Sequence, residues 1–129
     1  MIKEYGKILW IFTFLSLFLI SCSASKNASG KVYSKNAEVS YYADEFNGNK
    51  TASGERFSNS KLTAAHRKLP FGTKLRVTNN ANNESVVVEV NDRGPHKSGR
   101  ELDLSKRAFM NITDNKNNGT LKVRIEILK

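Results

Sequence analysis

From Glu38 to the end of the chain, apolar residues recur at every second position in short runs. Val39, Tyr41 and Ala43 share one face, and Leu75 and Val77 share another. Val86, Val88 and Val90 alternate with Ser85, Val87 and Glu89, while Leu121, Val123, Ile125 and Ile127 alternate with Lys122, Arg124 and Glu126. A period of two marks half-buried strands. The Asn/Ala-rich stretch Asn79 to Asn83 supplies a turn, so the runs on either side of it read as a hairpin. Thr63-Ala-Ala reads as a further strand, built of small residues. One segment departs from the pattern: Leu104, Ala108 and Ile112 fall four apart, with Phe109 beside them, after Ser105 in a capping position. That spacing predicts a two-turn helix capped by Ser105, with Leu104 and Phe109 placed as a hydrophobic staple, ended by the Asn/Asp/Gly-rich Asn115 to Gly119. About six short strands and one short helix without repeats predict a small closed β-barrel, since closure removes exposed strand edges. An open sandwich is the alternative.

The first 22 residues, MIKEYGKILWIFTFLSLFLISC, obey a different grammar. Lys3 and Lys7 precede the apolar run Ile8 to Ile20, and small Ser21 stands before Cys22, which is the pattern of an export signal. The run holds about 13 residues where spanning a bilayer takes roughly 20, and polar sequence follows it, so a permanent membrane helix is not expected. Leu19-Ile20-Ser21-Cys22 resembles the bacterial lipobox, whose cysteine becomes the first mature residue and carries acyl chains. Ordinary signal cleavage beside an incidental cysteine is the alternative. Cys22 is the only cysteine, and an exported chain with one thiol has no disulfide framework to account for it. More than one acyl chain makes an anchor durable, at about 0.8 kcal/mol per buried CH₂. Residues 1–21 are therefore read as a lipoprotein signal peptide, residues 22–37 as a flexible polar tether from lipidated Cys22, and residues 38–129 as the barrel domain. This implies a bacterial envelope location on a membrane. Ser23 fits the outer membrane, facing the periplasm, if the cell is Gram-negative.

Composition changes the picture in two ways. At 129 residues there is room for one ordinary domain, and 39% hydrophobic with 26% charged residues is near the globular average, which argues against two domains and against wholesale disorder. Lysine and arginine number 21 against 12 acidic residues, a net charge of +9; without Lys3, Lys7 and Glu4 of the leader the counts become 19 and 11, still +8. The basicity thus belongs to the domain, and it calls for an anionic partner. Export makes nucleic acid a poor candidate, whereas cell-wall polymer rich in carboxylates fits. A solvated surface with no specific partner is the bland alternative.

Three stretches together resemble the rare lipoprotein A family: Thr51-Ala-Ser-Gly-Glu55; Leu62-Thr-Ala-Ala-His66 running into Leu69-Pro-Phe-Gly-Thr73; and Val90-Asn-Asp-Arg-Gly-Pro95 followed by Gly99-Arg and Leu102-Asp-Leu-Ser105. Each is short, but their order and spacing are specific, and the similarity runs from about Val39 to Leu128. The resemblance implies an all-β, six-stranded double-psi β-barrel with one short helix, a barrel shared with expansins. It also implies lytic transglycosylase activity, cutting peptidoglycan between N-acetylmuramic acid and N-acetylglucosamine with formation of a 1,6-anhydro end. Family members often carry a C-terminal sporulation-related repeat; the sequence stops at Lys129, so septal targeting through such a domain is not expected. His96 stands where an aromatic or apolar residue is expected, which bears on local pocket shape.

Such a reaction needs a proton for a poor leaving oxygen and stabilisation of an oxocarbenium-like centre. The substrate's own C6 hydroxyl is the nucleophile, so one carboxyl group can serve as acid and then as base. The resemblance puts forward Asp92, Asp103, His66 and Glu55 as catalytic and Arg93, Tyr42 and Asn91 as substrate-binding. Asp92, where an alternating strand meets Arg-Gly-Pro, is the first choice for the acid, and Asp103 the second; whichever is less solvated is expected to hold the proton. Each has a structural alternative: an Asx-turn for Asp92, helix capping for Asp103, a packed imidazole for His66, an idle loop carboxylate for Glu55 and a rim ion pair for Arg93. Tyr41, Tyr42, Phe57 and Phe71 flank the motifs, and one or two of them are expected at the surface for stacking on sugar. His66 and His96 lie far apart without ligand spacing, so no metal is expected, and with no Gly-rich phosphate loop no cofactor is expected either. No serine lies in a nucleophile elbow. The expected partner is the glycan strand, with a monomeric protein held at the membrane by Cys22. Two rival readings remain: a non-catalytic, expansin-like wall-binding module, and a protein-interaction barrel.

Overall fold

A computed structural model describes residues 29–129; the signal peptide, Cys22 and the first part of the tether lie outside the described residues. Six strands alternate with short connections: β1 (Gly30–Tyr41), β2 (Thr63–Ala65), β3 (Lys74–Asn79), β4 (Ser85–Asp92), β5 (Arg100–Leu104) and β6 (Leu121–Leu128), with helix α1 (Lys106–Ile112) between the last two. They close in the order β1-β5-β2-β4-β3-β6. The pairings β1·β5 and β2·β4 are parallel and the rest antiparallel. The barrel interior is the core, filled by the inward halves of the alternating strands: Val39, Leu75, Val77, Val88, Val90, Leu102, Leu104, Val123 and Ile125 are all buried.

The predicted hairpin is present, with Leu75 opposite Val88 and Val77 opposite Val86. Its turn is closed by Asn79 N–H donating to the Glu84 carbonyl at 2.8 Å, with Asn83 at φ 60°, a left-handed conformation that asparagine tolerates. Helix α1 starts at Ser105, whose hydroxyl accepts from Ala108 N–H at 3.3 Å, and buries Ala108, Phe109 and Ile112. At its other end the Ile112 carbonyl accepts from the Asn79 and Asn82 side-chain amides at 2.8 and 3.0 Å. The turn that closes the hairpin therefore also satisfies a helix end that would otherwise lack a partner.

The barrel begins earlier than its apolar pattern. Strand β1 starts at Gly30, so Gly30–Ala37, read from the sequence as tether, is strand paired with β6 from Gly30 opposite Leu128 onward. Lys31, Val32, Tyr33, Lys35 and Asn36 are exposed. This part is held by its backbone ladder, with register shifts at Val32/Ser34 and Ser34/Ala37, and not by side-chain burial. Period-two burial, the signal used to place the start at Glu38, is absent there for that reason. Ala43 lies beyond β1 and is exposed, off the face of Val39 and Tyr41.

Candidate functional site

Two bulges build one row of polar residues on the outside of the barrel. In β2, Ala64 and Ala65 are consecutive, yet their partners on β4 are Val90 and Asp92, leaving Asn91 as an extra residue. Strict alternation would aim Asp92 inward with Val90; the bulge turns it to the face of Ala65. On its other side Ala65 faces Asp103 of β5. In β5, Arg100 and Leu102 face consecutive Glu38 and Val39 of β1, with Glu101 extra, so a second bulge turns Arg100 outward as well. Ser40 is opposite Asp103. The resulting row is Ser40, Asp103, Ala65, Asp92. The two aspartates flank a methyl side chain and stand two strand spacings apart, about 10 Å between Cα atoms.

Ser40, Asp103 and Asp92 wall a groove of about 590 Å³, with Tyr41, Tyr42, Phe46, Lys50, Thr51, Phe57, Arg93, His96 and Arg100 among its lining, while Ala65 between the aspartates is buried. Asp92 is held by three donors. Its Oδ1 accepts from Ala52 N–H at 2.8 Å and Arg93 N–H at 2.9 Å, and its Oδ2 from the Tyr42 hydroxyl at 2.5 Å. The Thr51-to-Glu55 motif supplies the first of these. Its loop closes through Thr51 Oγ1 donating to the Glu55 carbonyl at 3.0 Å and docks on β4 through Ser53 N–H to the Asn91 carbonyl at 3.2 Å. Gly54, at φ 92°, permits the turn. Burial, then the bond to Asp92 and the charges of Asp92 and Asp103, push the Tyr42 phenol far above its ordinary pKa, so it stays a donor. Its ring stacks on Phe57, 4.2 Å between centroids, and Asn59 Nδ2 donates to its carbonyl at 3.1 Å. Among the described residues Asp103 has one side-chain hydrogen-bond partner, the Ser40 hydroxyl at 2.6 Å. It does not cap the helix; Asn59 Oδ1 accepts from Lys106 N–H at 2.9 Å in that place.

The other expected site residues fall differently. His66 is 3% exposed and is not part of the groove wall. Its Nδ1 accepts from Lys68 and Leu69 N–H, both at 3.0 Å, and its ring meets Tyr33 edge-on at 5.4 Å. Its backbone N–H donates to the Asp92 carbonyl at 3.1 Å, so His66 supports the site's backbone. Glu55 is exposed, outside the groove, with Ser53 Oγ at 3.5 Å. Asn91 is buried as the bulge residue, its carbonyl taken by Ser53. Arg93 lines the groove, but its guanidinium donates to the carbonyls of His66 at 3.2 Å and Leu69 at 2.8 Å and lies 4.0 Å over the Phe71 ring. Of the flanking aromatics, Tyr41 packs on Phe109 and Phe57 is buried, while Phe71 is exposed. Phe46, exposed and edge-on to Tyr42 at 5.9 Å, was not foreseen. Ser40, Lys50 and Arg100 were missed too. For Ser40 the signal was present, since it lies between inward Val39 and Tyr41. Arg100 takes its direction from a bulge that no periodicity reveals. Among the described residues no group of three or more His, Cys, Asp or Glu is placed to hold a metal.

Burial lowers the pKa of His66, with Arg67, Arg93 and Lys68 adding to the effect and Glu101 opposing it. Below about pH 6.5 the unfolded chain takes up a proton that the folded chain refuses, so the stability this site contributes is present above that pH and is lost as pH falls through the folded value. Urea midpoints measured at pH 7.5 and 5 are expected to drop more for the parent than for His66→Asn. Equal drops would show that His66 does not set the acid sensitivity.

Residues 24–125 match the family of lytic transglycolases. The chain is 48% identical over 98 residues to the probable endolytic peptidoglycan transglycosylase RlpA of Treponema pallidum, covering 76% of this chain and 30% of that protein. It is 46% identical over 106 residues to the endolytic peptidoglycan transglycosylase RlpA of Rickettsia felis, covering 80% of this chain and 46% of that protein. The chain thus spans less than half the length of these curated relatives. Among solved structures, a Streptomyces papain inhibitor superposes with a TM-score of 0.60 at 19% identity over 78% of this chain and all of its own. Apo-expansin of Clavibacter michiganensis gives 0.57 at 22% over 74% of this chain and 50% of that one. Those two likenesses concern the fold, which is the double-psi β-barrel; the sequence match places this chain in the RlpA-like, lytic transglycolase family.

Proposed function

We propose that this domain cleaves the glycan strands of peptidoglycan by intramolecular transglycosylation between N-acetylmuramic acid and N-acetylglucosamine, leaving 1,6-anhydro ends. The observation that carries the reading is the pair Asp92 and Asp103 flanking Ala65 on one open groove. The relatives' names, which specify endolytic peptidoglycan transglycosylases, support the substrate and the reaction.

The hydrogen bonds divide the roles. All three neighbours of Asp92 donate to it, so its oxygens are acceptors, suited to stabilising positive charge at the anomeric carbon. Asp103 accepts one bond, on Oδ1, and its other oxygen accepts none from the described residues. In this reading Asp103, not Asp92, is the acid. Its proton passes to the glycosidic oxygen as the C1–O bond breaks. The C6 hydroxyl oxygen of the same sugar attacks C1, and its proton returns to Asp103, which ends as it began. No water is consumed. His66, Glu55, Asn91 and Arg93 act through the loops they hold. Tyr42 fixes Asp92, and exposed Phe46 offers a ring face at the groove.

The export signal and Cys22 support a lipid anchor that holds a monomeric domain on a bacterial envelope membrane, the outer one in a Gram-negative cell. The net charge of +9 suits a carboxylate-rich wall. Incubating purified strands with the domain is expected to give anhydro-ended fragments by mass spectrometry. Strands retained but unchanged would mark a non-catalytic, expansin-like wall module, and fragments with free reducing ends a hydrolase; either outcome overturns the proposal.

A further inference from the structure

The groove contains a serine that the roles above leave unused. Ser40 is 6% exposed, and its hydroxyl stands between the Asp103 carboxyl group and the Arg100 guanidinium. It donates to Asp103 Oδ1 at 2.6 Å and accepts from Arg100 Nη1 at 3.1 Å. A hydroxyl has one proton, and a guanidinium nitrogen can only donate. Ser40 must therefore accept from Arg100, and its own proton goes to Asp103, the one acceptor it meets among the described hydrogen bonds.

We propose that Arg100 and Ser40 are positioning residues that dedicate Asp103 Oδ1 to accepting, and so confine the transferable proton to Oδ2. The inference rests on the transglycosylase reading and deepens it. A proton on Oδ1 would displace the one Ser40 supplies and strand a buried hydroxyl, which is unfavourable. Asp103 then gives its proton and takes back the one from the C6 hydroxyl at a single oxygen. The backbone sets the chain of bonds in place: Ser40 is opposite Asp103, and the bulge at Glu101 brings Arg100 to the outer face opposite Glu38. The positive guanidinium also polarises the hydroxyl toward the carboxyl group. Arg100 thereby acts on the reaction through Ser40 and needs no contact with substrate.

Ser40→Ala, Arg100→Met and their double variant test this through kcat, KM and the pH profile of kcat/KM. Each single change is expected to lower kcat about tenfold with KM changed less than about twofold, and to move the alkaline limb of the profile, where the acid loses its proton, in the same direction. The double variant should lose no more than Ser40→Ala alone, because Arg100 acts through the hydroxyl. Ser40→Thr, which keeps a hydroxyl, should regain most of the lost rate. Losses that multiply in the double variant, or profiles that coincide with the parent's, overturn the proposal. Proton NMR gives a readout without turnover: the parent is expected to show a slowly exchanging, downfield Ser40 hydroxyl proton that Arg100→Met loses to fast exchange. A parent without that signal overturns the inference whatever its activity. A parent that shows it but forms no anhydro product overturns the transglycosylase reading instead.

Discussion

Replacing Asp103 by asparagine is expected to cut the formation of anhydro-ended fragments by about 10²- to 10⁴-fold, the usual contribution of a positioned proton donor. The variant should keep the parent's fold and its retention of glycan strands. Asparagine has nearly the same shape, and its amide oxygen can still accept from the Ser40 hydroxyl that now bonds Asp103 at 2.6 Å. What it lacks is a proton it can give away. Asp92→Asn should lose rate by about 10²- to 10³-fold for a different reason, the removal of charge beside the developing cation. Its amide oxygen can take the place of Oδ1 and accept from Ala52 and Arg93 N–H, while the amide nitrogen meets the Tyr42 oxygen, whose proton must then turn away. Both variants should therefore bind strands while failing to cut them. Single-turnover product analysis beside a pull-down separates the two steps. Parent-like rates in Asp103→Asn would remove it as the acid, and parent-like rates in both would leave the groove without a catalytic carboxyl pair.

The strands were legible where one face is buried and the other wet. Val86, Val88 and Val90, or Leu121, Val123 and Ile125, report their own burial through alternation, and the α1 spacing of Leu104, Ala108 and Ile112 does the same for a helix. The first half of β1 was not legible, because backbone bonds to β6 hold it while its side chains stay exposed. The site was half legible for a related reason. Asp92 and Asp103 could be singled out by the motifs around them, but their common direction depends on Asn91 being an extra residue, which periodicity cannot encode. Without that bulge Asp92 would point into the core. His66 is a candidate only through the motif in which the family resemblance places it. In three dimensions it follows Ala65 in β2's direction and turns its imidazole to the backbone of Lys68 and Leu69. A motif brings a residue to a neighbourhood, and the hydrogen bonds decide which way its side chain turns.

Phe109→Ala should be the most destabilising of the single truncations that leave every groove side chain in place. The ring is fully buried, packed against Tyr41 at 4.6 Å between centroids and sharing the core with Leu104 and Ile112. Truncating such a phenylalanine costs about 3–5 kcal/mol, the lost transfer term plus the cavity left behind. A domain of this size has roughly 5–15 kcal/mol in all. At about 4–8 °C per kcal/mol, the melting temperature should fall by more than about 12 °C. The loss reaches the site by a short route. Tyr41 is the residue between Ser40 and Tyr42, which hold Asp103 and Asp92, and it rests on the Phe109 ring. Loosening that support should lower activity even at temperatures where the variant remains folded. Phe46→Ala is the control, since its ring is 44% exposed and makes one edge contact with Tyr42; its stability should stay within about 0.5 kcal/mol of the parent. A melting temperature for Phe109→Ala within a few degrees of the parent's would mean that the helix is not anchored in the barrel as the packing indicates.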